Sequence, residues 1–147
     1  KCQSSRITIL RQGAITREKI QEFISLNFPK INLSNQWSGE GVIAPGQTLA
    51  HYSPKSKIRL NISNPSEEDI YLSFGPMPAS AQGFSLSEKK SLDEAGRNLY
   101  NFLRLADELI LSGTCKAKQY IAVAPIPKSG LGASINDRLF RASTPRF

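Results

Sequence analysis

The chain has 147 residues, 39% hydrophobic and 21% charged, a length and mixture that suit one packed domain and exclude wholesale disorder. No apolar stretch resembles a membrane span or a signal peptide, and two cysteines without a C-x-x-C motif fit a reducing, cytoplasmic location. A single histidine excludes the usual zinc sites. The net charge of +7 is compatible with a partner that is a nucleic acid or a phosphate, and equally with a protein that is merely basic.

The first 29 residues predict a strand followed by a helix. Residues 7–10 are apolar and β-rich, and Thr16 is a good N-cap with Glu18 in the first turn. Pro29 ends the helix. Residues 30–57 then lose all periodicity and are rich in Gly, Pro, Ser and Asn, which predicts a long linker.

From residue 58 the pattern becomes α/β. Residues 57–60 and 70–74 predict strands, and the Pro-, Ala-, Ser- and Gly-rich stretch 76–90 predicts a loop. The continuous apolar run 120–124 is typical of a strand covered on both faces. With the helix between them, strands 70–74 and 120–124 should form a parallel, right-handed β-α-β unit.

That helix is predicted over residues 92–111. Ser91 with Glu94 three residues later fits a capping box. One face is apolar, and the other is predicted to be solvated. The apolar residues are Leu92, Ala95, Leu99, Phe102, Leu103, Ala106 and Leu109; the polar ones are Arg97, Arg104, Asp107 and Glu108.

A last helix is predicted over residues 133–142, with Ile135, Leu139 and Phe140 turned inward. Asn136-Asp137-Arg138 on its other side could hold a ligand, but a solvated face with an internal ion pair is the preferred interpretation.

Gly130 and Gly132 lie in a turn between a strand and a helix, where α/β sheets often bind phosphate on free amides. Ile135 replaces the third glycine of a G-x-G-x-x-G motif, so close packing of helix and strand is the preferred interpretation. Gly130, Gly132 and Asn136 remain candidates for a second binding site.

The segment from Ala44 to Pro54 holds the only histidine, His51, next to Tyr52 and between two prolines. An imidazole, a phenol and the cations that follow suit contact with a base or with phosphates. A rigid loop that docks on its own protein through Tyr52 is an equally good interpretation. Arg11, after the first strand, suits phosphate oxygens, but from the residues alone an ordinary surface position is the preferred interpretation.

Three segments, in order, resemble the long, two-domain form of the L-threonylcarbamoyladenylate synthases. The segment from Ile9 to Thr16, ILRQGAIT, resembles the "ILRPGAIT" that ends the YrdC-like catalytic domain. Ala44-Pro45-Gly46 with His51-Tyr52-Ser53-Pro54 resembles the linker, and 121–125 with 130–139 is similar to the signature of the C-terminal domain. Gln12 departs from the usual Pro.

The resemblance implies an enzyme that joins threonine, bicarbonate and ATP, the latter with Mg²⁺, into threonylcarbamoyl-adenylate and pyrophosphate. The product supplies the threonylcarbamoyl group for adenosine 37 of tRNA. Arg11 matches the family's arginine at the ATP site, and Tyr52 with His51 matches linker residues that approach the nucleotide. No catalytic residue and no resident metal are expected in this chain.

The expected fold is a small Rossmann-like, three-layer α/β domain with a mainly parallel sheet. The expected division is 1–29, a remnant of the YrdC-like domain; 30–57, the linker; and 58–147, the C-terminal domain. Such a fragment would be inactive without its catalytic domain. The net charge is +6 over residues 1–60 and +1 over 61–147.

Two alternatives belong to other classes. One is a non-enzymatic RNA-binding module that contacts tRNA, supported by the charge but lacking an RNA-binding motif. The other is a purely structural interaction domain.

Overall fold

The computed structural model describes residues 2–3, 6–10, 13, 15–34, 54–115 and 117–144. In chain order these form β1 (Cys2–Gln3), β2 (Arg6–Thr8), α1 (Arg17–Asn27), β3 (Asn32–Ser34), β4 (Lys57–Arg59), β5 (Asp69–Phe74), β6 (Gly83–Ser87), α2 (Leu92–Leu111), β7 (Tyr120–Val123) and α3 (Leu131–Ser143).

The first sheet has the strand order β1-β2-β3, with β1 antiparallel and β3 parallel to β2. The predicted N-cap of α1 is confirmed, because the Thr16 side chain accepts a hydrogen bond from the Lys19 amide at 3.4 Å. Strand β3 lies within the residues predicted to be linker. Of the apolar residues on α1, Ile24 is buried, whereas Phe23 is 60% exposed.

The second sheet is entirely parallel, with the order β4-β7-β5-β6. The predicted parallel pairing of residues 70–74 with 120–124 is confirmed, since β5 and β7 are neighbours. Helices α2 and α3 both contribute to the main core on one face of this sheet. On the other face, Ile62, Met77 and Ala81 from loops pack on the small cluster around Tyr71. The predicted mixed α/β fold with a mainly parallel sheet is therefore confirmed, and its third layer is made of loops.

Strand β6 lies where a loop was predicted over residues 76–90, and that prediction is wrong. Phe84 and Leu86 alternate with serines at the period of a strand, but the neighbouring small residues masked this signal. Gly83 allows the pairing: its φ is +155°, and a Cβ there would lie 1.9 Å from the Tyr71 carbonyl oxygen.

Helix α2 has its predicted bounds, 92–111. The Ser91 side chain accepts from the Glu94 amide at 3.4 Å, as the capping box requires. The Glu94 carboxylate instead accepts from Ser87 Oγ at 2.5 Å, which ties the start of α2 to the end of β6. In α3, Ile135 and Leu139 are buried as predicted, but the inward prediction for Phe140 is wrong, because its side chain is 60% exposed.

A charged contact spans the sheet at the start of β5. The Asp69 carboxylate is buried and accepts from Arg59 Nη2 at 2.5 Å and from the Ser66 amide at 2.7 Å. The Arg59 guanidinium also lies over the Tyr120 ring, 4.9 Å from its centroid. Because both β4 and β5 pair with β7, this contact holds the three strands in register.

The Tyr71 hydroxyl should make stability pH-dependent. Burial raises the pKa of Tyr71 above its ordinary value of 10.0, and its hydroxyl donates to the Ile62 carbonyl at 2.9 Å. The neutral phenol is favoured in the folded state, so its contribution is complete below pH 10 and is lost as pH rises through the folded-state pKa. Urea unfolding at pH 8 and pH 11 should show that the wild type loses more stability than Tyr71→Phe. Equal losses would contradict this.

Candidate functional site

The residues predicted to bind nucleotide, Arg11, His51 and Tyr52, lie outside the described residues. In the sequence, Arg11 falls in the connection between β2 and α1, and Tyr52 lies three residues before Lys55. The structure does describe the elements on either side of both segments.

The end of the predicted linker is fixed to α2 by one carboxylate. Asp107 accepts from the Lys55 amide at 3.0 Å and from the Ser56 amide at 2.8 Å. Both bonds involve a charged acceptor, so they are stronger than neutral ones. Asp107 was predicted to lie on the solvated side of α2, and a pattern of helical spacing gives no signal for a contact with residues more than 50 positions away.

The two candidate glycines begin α3. Gly130 is its N-cap, with φ +55°, and contributes no side-chain cap. A Cβ on Gly132 would lie 1.9 Å from the Pro127 carbonyl oxygen, so Gly132 permits close packing of helix and preceding loop. The amides of Gly132 and Ala133 donate to Ser129 and Gly130 carbonyls at 3.0 and 3.2 Å. These bonds use amides that a phosphate would need.

Asn136 likewise uses its side-chain amide inside the protein. Its Nδ2 donates to the carbonyls of Gly132 at 2.8 Å and of Ile126 and Pro127 at 3.2 Å each. Asn136 therefore holds α3 against the segment that follows β7. This geometry favours a packing role for Gly132 and Asn136 over direct contact with a ligand.

An ion pair is present on the outer side of α3, and it joins Asp137 to Arg141. Arg141 Nε lies 2.9 Å from Asp137 Oδ2, and Nη2 lies 3.1 Å from Oδ1. The hydrogen bonds that Arg141 donates to the Asp137 carboxylate raise the pKa of Arg141, so the guanidinium stays charged. Arg138 instead donates to the backbone oxygen of Ser134 at 3.1 Å and to its hydroxyl.

A cavity of about 440 Å³ lies where the first turn of α1 faces the first turn of α3. Arg17 and Glu18 line it from α1, and Lys128, Ser129 and Gly130 line it from the loop before α3. Arg17 Nε is buried without a hydrogen-bond partner in the described structure. Gly130 thus borders open space, although Gly132 and Asn136 do not line this cavity.

The described ranges show neither a metal cluster nor a membrane-spanning helix. There, no cluster of three or more His, Cys, Asp or Glu residues is arranged to hold a metal ion. In the same ranges, no helix combines the length and apolar character needed to cross a bilayer.

The parallel second sheet and the helices that pack on it define a parallel α/β domain. Residues 15–144 match the family described as "Threonylcarbamoyl-AMP synthase, C-terminal domain". The chain belongs to this family, which confirms the resemblance seen in its motifs. No curated protein gives a significant match.

One similar solved structure is described as "Crystal structure of P. abyssi Sua5 complexed with L-threonine". The TM-score is 0.62 at 21% identity, over 92% of this chain and 42% of that one. At this identity the likeness concerns the fold alone. The chain thus spans less than half the length of that relative.

Proposed function

We propose that this chain supplies the linker and accessory domain of a threonylcarbamoyl-AMP synthase. The reaction would join threonine, bicarbonate and ATP, release pyrophosphate and provide the threonylcarbamoyl group for adenosine 37 of tRNA. The family match over residues 15–144 supports this proposal most directly. The P. abyssi relative was crystallised with L-threonine, in keeping with threonine as a substrate.

In this proposal the chain itself holds no catalytic residue and works with a YrdC-like catalytic domain. Arg11 would contact ATP phosphates, where its planar guanidinium offsets the charge that develops as a carbamate attacks the α-phosphorus. Tyr52, with His51 beside it, would lie against the adenine or the adenylate. Mg²⁺ would arrive with the ATP phosphates.

The contacts of Asp107 support a positional role for the linker. Because Asp107 fixes the Lys55 and Ser56 amides, the chain just after Tyr52 has a defined anchor on α2. An anchored linker orders the covering segment with less loss of entropy than a free one. The RNA-binding alternative has less support, since residues 61–147 have a net charge of only +1, the remaining +6 lies in residues 1–60, and the sequence carries no RNA-binding motif.

The proposal is tested by pyrophosphate release from ATP, threonine and bicarbonate. The chain alone should give no release, and the polypeptide that joins it to a YrdC-like domain should be active. In that polypeptide, Arg11→Ala and Tyr52→Ala should each reduce turnover by at least about tenfold, because each removes a contact to the charged or stacked nucleotide.

Arg104→Ala, an exposed substitution on α2, is the matched control and should leave turnover unchanged. Full activity of the chain alone would contradict the proposed division of labour. Unchanged turnover in the Arg11 and Tyr52 variants would remove their assigned roles.

A further inference from the structure

A second cavity lies in a groove between α2 and α3, away from the linker anchor. Its volume is about 520 Å³, which is within the range of small-molecule sites. Asp93 of α2 is the one carboxylate among the residues that line it. The groove is lined further by Gly96, Arg97 and Tyr100 of α2 and by Leu131, Ile135 and Arg138 of α3.

The two arginines of the groove differ from the other arginines on the same helices. Outside the groove, Arg104 pairs with Glu108 at 2.7 Å and Arg141 pairs with Asp137 at 2.9 Å. Within the described part of the chain, Arg97 is exposed and has neither an ion pair nor a hydrogen bond.

Arg138 is held by its own helix, through Nη1 to the Ser134 backbone oxygen and hydroxyl. No carboxylate among the described residues pairs with it. One guanidinium from each helix is therefore available to an anion.

The apolar floor of the groove is formed by Leu131, which is half-buried, beside Tyr100, which is 43% exposed. Ile135 also borders the cavity but is fully buried, so it offers no surface to a ligand. An apolar floor beside an aromatic ring and two cations suits a ligand with both a charged group and a flat, apolar body.

Gly96 helps to keep this groove open. It lies inside the 20-residue helix α2, where glycine is among the poorest helix formers. Packing does not require a glycine, because a Cβ would meet Ile135 Cδ1 and Leu131 Cδ2 at 3.8 Å, an ordinary contact. A longer side chain at this position would occupy the groove.

We propose that the groove between α2 and α3 binds a small organic anion. Its phosphate or carboxylate lies between Arg97 and Arg138, and its apolar body lies on Leu131 beside Tyr100. An extended polyanion is a poorer fit, because nucleic-acid affinity needs many cations and residues 61–147 have a net charge of +1. This inference does not depend on the proposed synthase function.

The first test uses phenyl phosphate and phenylacetate as probes with the ¹⁵N-labelled 147-residue chain. Titration should shift the Gly96 amide resonance saturably, with a dissociation constant below about 1 mM for the better probe. Inorganic phosphate and phenol, which each lack one half of the proposed ligand, should bind at least about tenfold more weakly. The tighter probe identifies the ligand as an organic phosphate or a carboxylate.

The second test uses variants of the groove. Arg97→Ala and Arg138→Ala should each weaken binding of the better probe at least about tenfold. Arg104→Ala, the same change on α2 outside the groove, should leave binding unchanged. Gly96→Leu should abolish binding, because the leucine side chain would fill the cavity. If the leucine variant fails to fold, Arg97→Ala still tests the proposal, because Arg97 is exposed and its removal should leave the fold intact.

Three results would overturn the proposal. One is the absence of a saturable shift at Gly96 with either probe. Another is equal affinity for inorganic phosphate and phenyl phosphate, since the apolar floor would then contribute nothing. The third is Arg97-dependent binding of a short single-stranded RNA without binding of either small probe.

Discussion

Replacing Gly132 with alanine should lower the free energy of unfolding by about 3 kcal/mol. The new Cβ would lie 1.9 Å from the Pro127 oxygen and 2.9 Å from the Pro127 carbonyl carbon. Both are backbone atoms, so α3 must move away from the segment that follows β7. That movement would also stretch the bonds from Asn136 to Ile126 and Pro127.

Gly96→Ala is the matched control for this prediction. Both glycines lie in helices, but an alanine Cβ at position 96 meets no atom closer than 3.8 Å. The control should stabilise the protein by up to about 1 kcal/mol, the difference in helix propensity. Urea unfolding of the two variants measures the contrast. The steric argument fails if both variants show the same change in stability.

Replacing Asp107 with alanine should release the end of the linker. The Lys55 and Ser56 amides lose their shared acceptor, so their hydrogen exchange should accelerate by at least about tenfold. Amides in β5 should keep their protection, because α2 retains its buried face. Under the proposed function, turnover of the polypeptide with a YrdC-like domain should fall as well.

Glu108→Ala is the control for Asp107→Ala, since it removes a neighbouring carboxylate whose partner is Arg104 on the same helix. In Glu108→Ala, the Lys55 and Ser56 amides should exchange at the wild-type rate. Unchanged exchange at Lys55 and Ser56 in the Asp107 variant would show that the carboxylate does not anchor the linker. Asp107→Asn keeps one acceptor oxygen, so the exchange rate of the Lys55 and Ser56 amides should lie between those of the wild type and of Asp107→Ala.

Helix α2 was predictable because its signals are local. Ser91 and Glu94 mark its start, and the apolar spacing that leads to Leu99 and Leu103 marks its buried face. The apolar run of β7 was equally clear. Strand β6 was missed because serines separate Phe84 from Leu86, and tertiary packing rather than propensity makes this segment a strand.

The candidate site was only partly predictable, for a different reason. The family motifs singled out Arg11, His51 and Tyr52. The anchor, in contrast, joins Asp107 to two amides that lie more than 50 positions earlier in the chain. The groove combines Arg97 with Arg138, which come from different helices. Such pairings arise from tertiary packing, and a single sequence without its fold gives no signal for them.

The topology of the second sheet has a consequence for the order of folding. Tyr71 and Gly83, partners in β5 and β6, are only 12 positions apart, whereas Lys57 and Tyr120, partners in β4 and β7, are 63 positions apart. Closing the longer loop from an unfolded chain costs about 1.5 kcal/mol more in entropy. The β5–β6 pair should therefore form early, and the three-residue strand β4 should join late and open first. Because Ser56 directly precedes β4, the anchor at Asp107 also restrains the strand whose pairing closes the longer loop and costs more chain entropy.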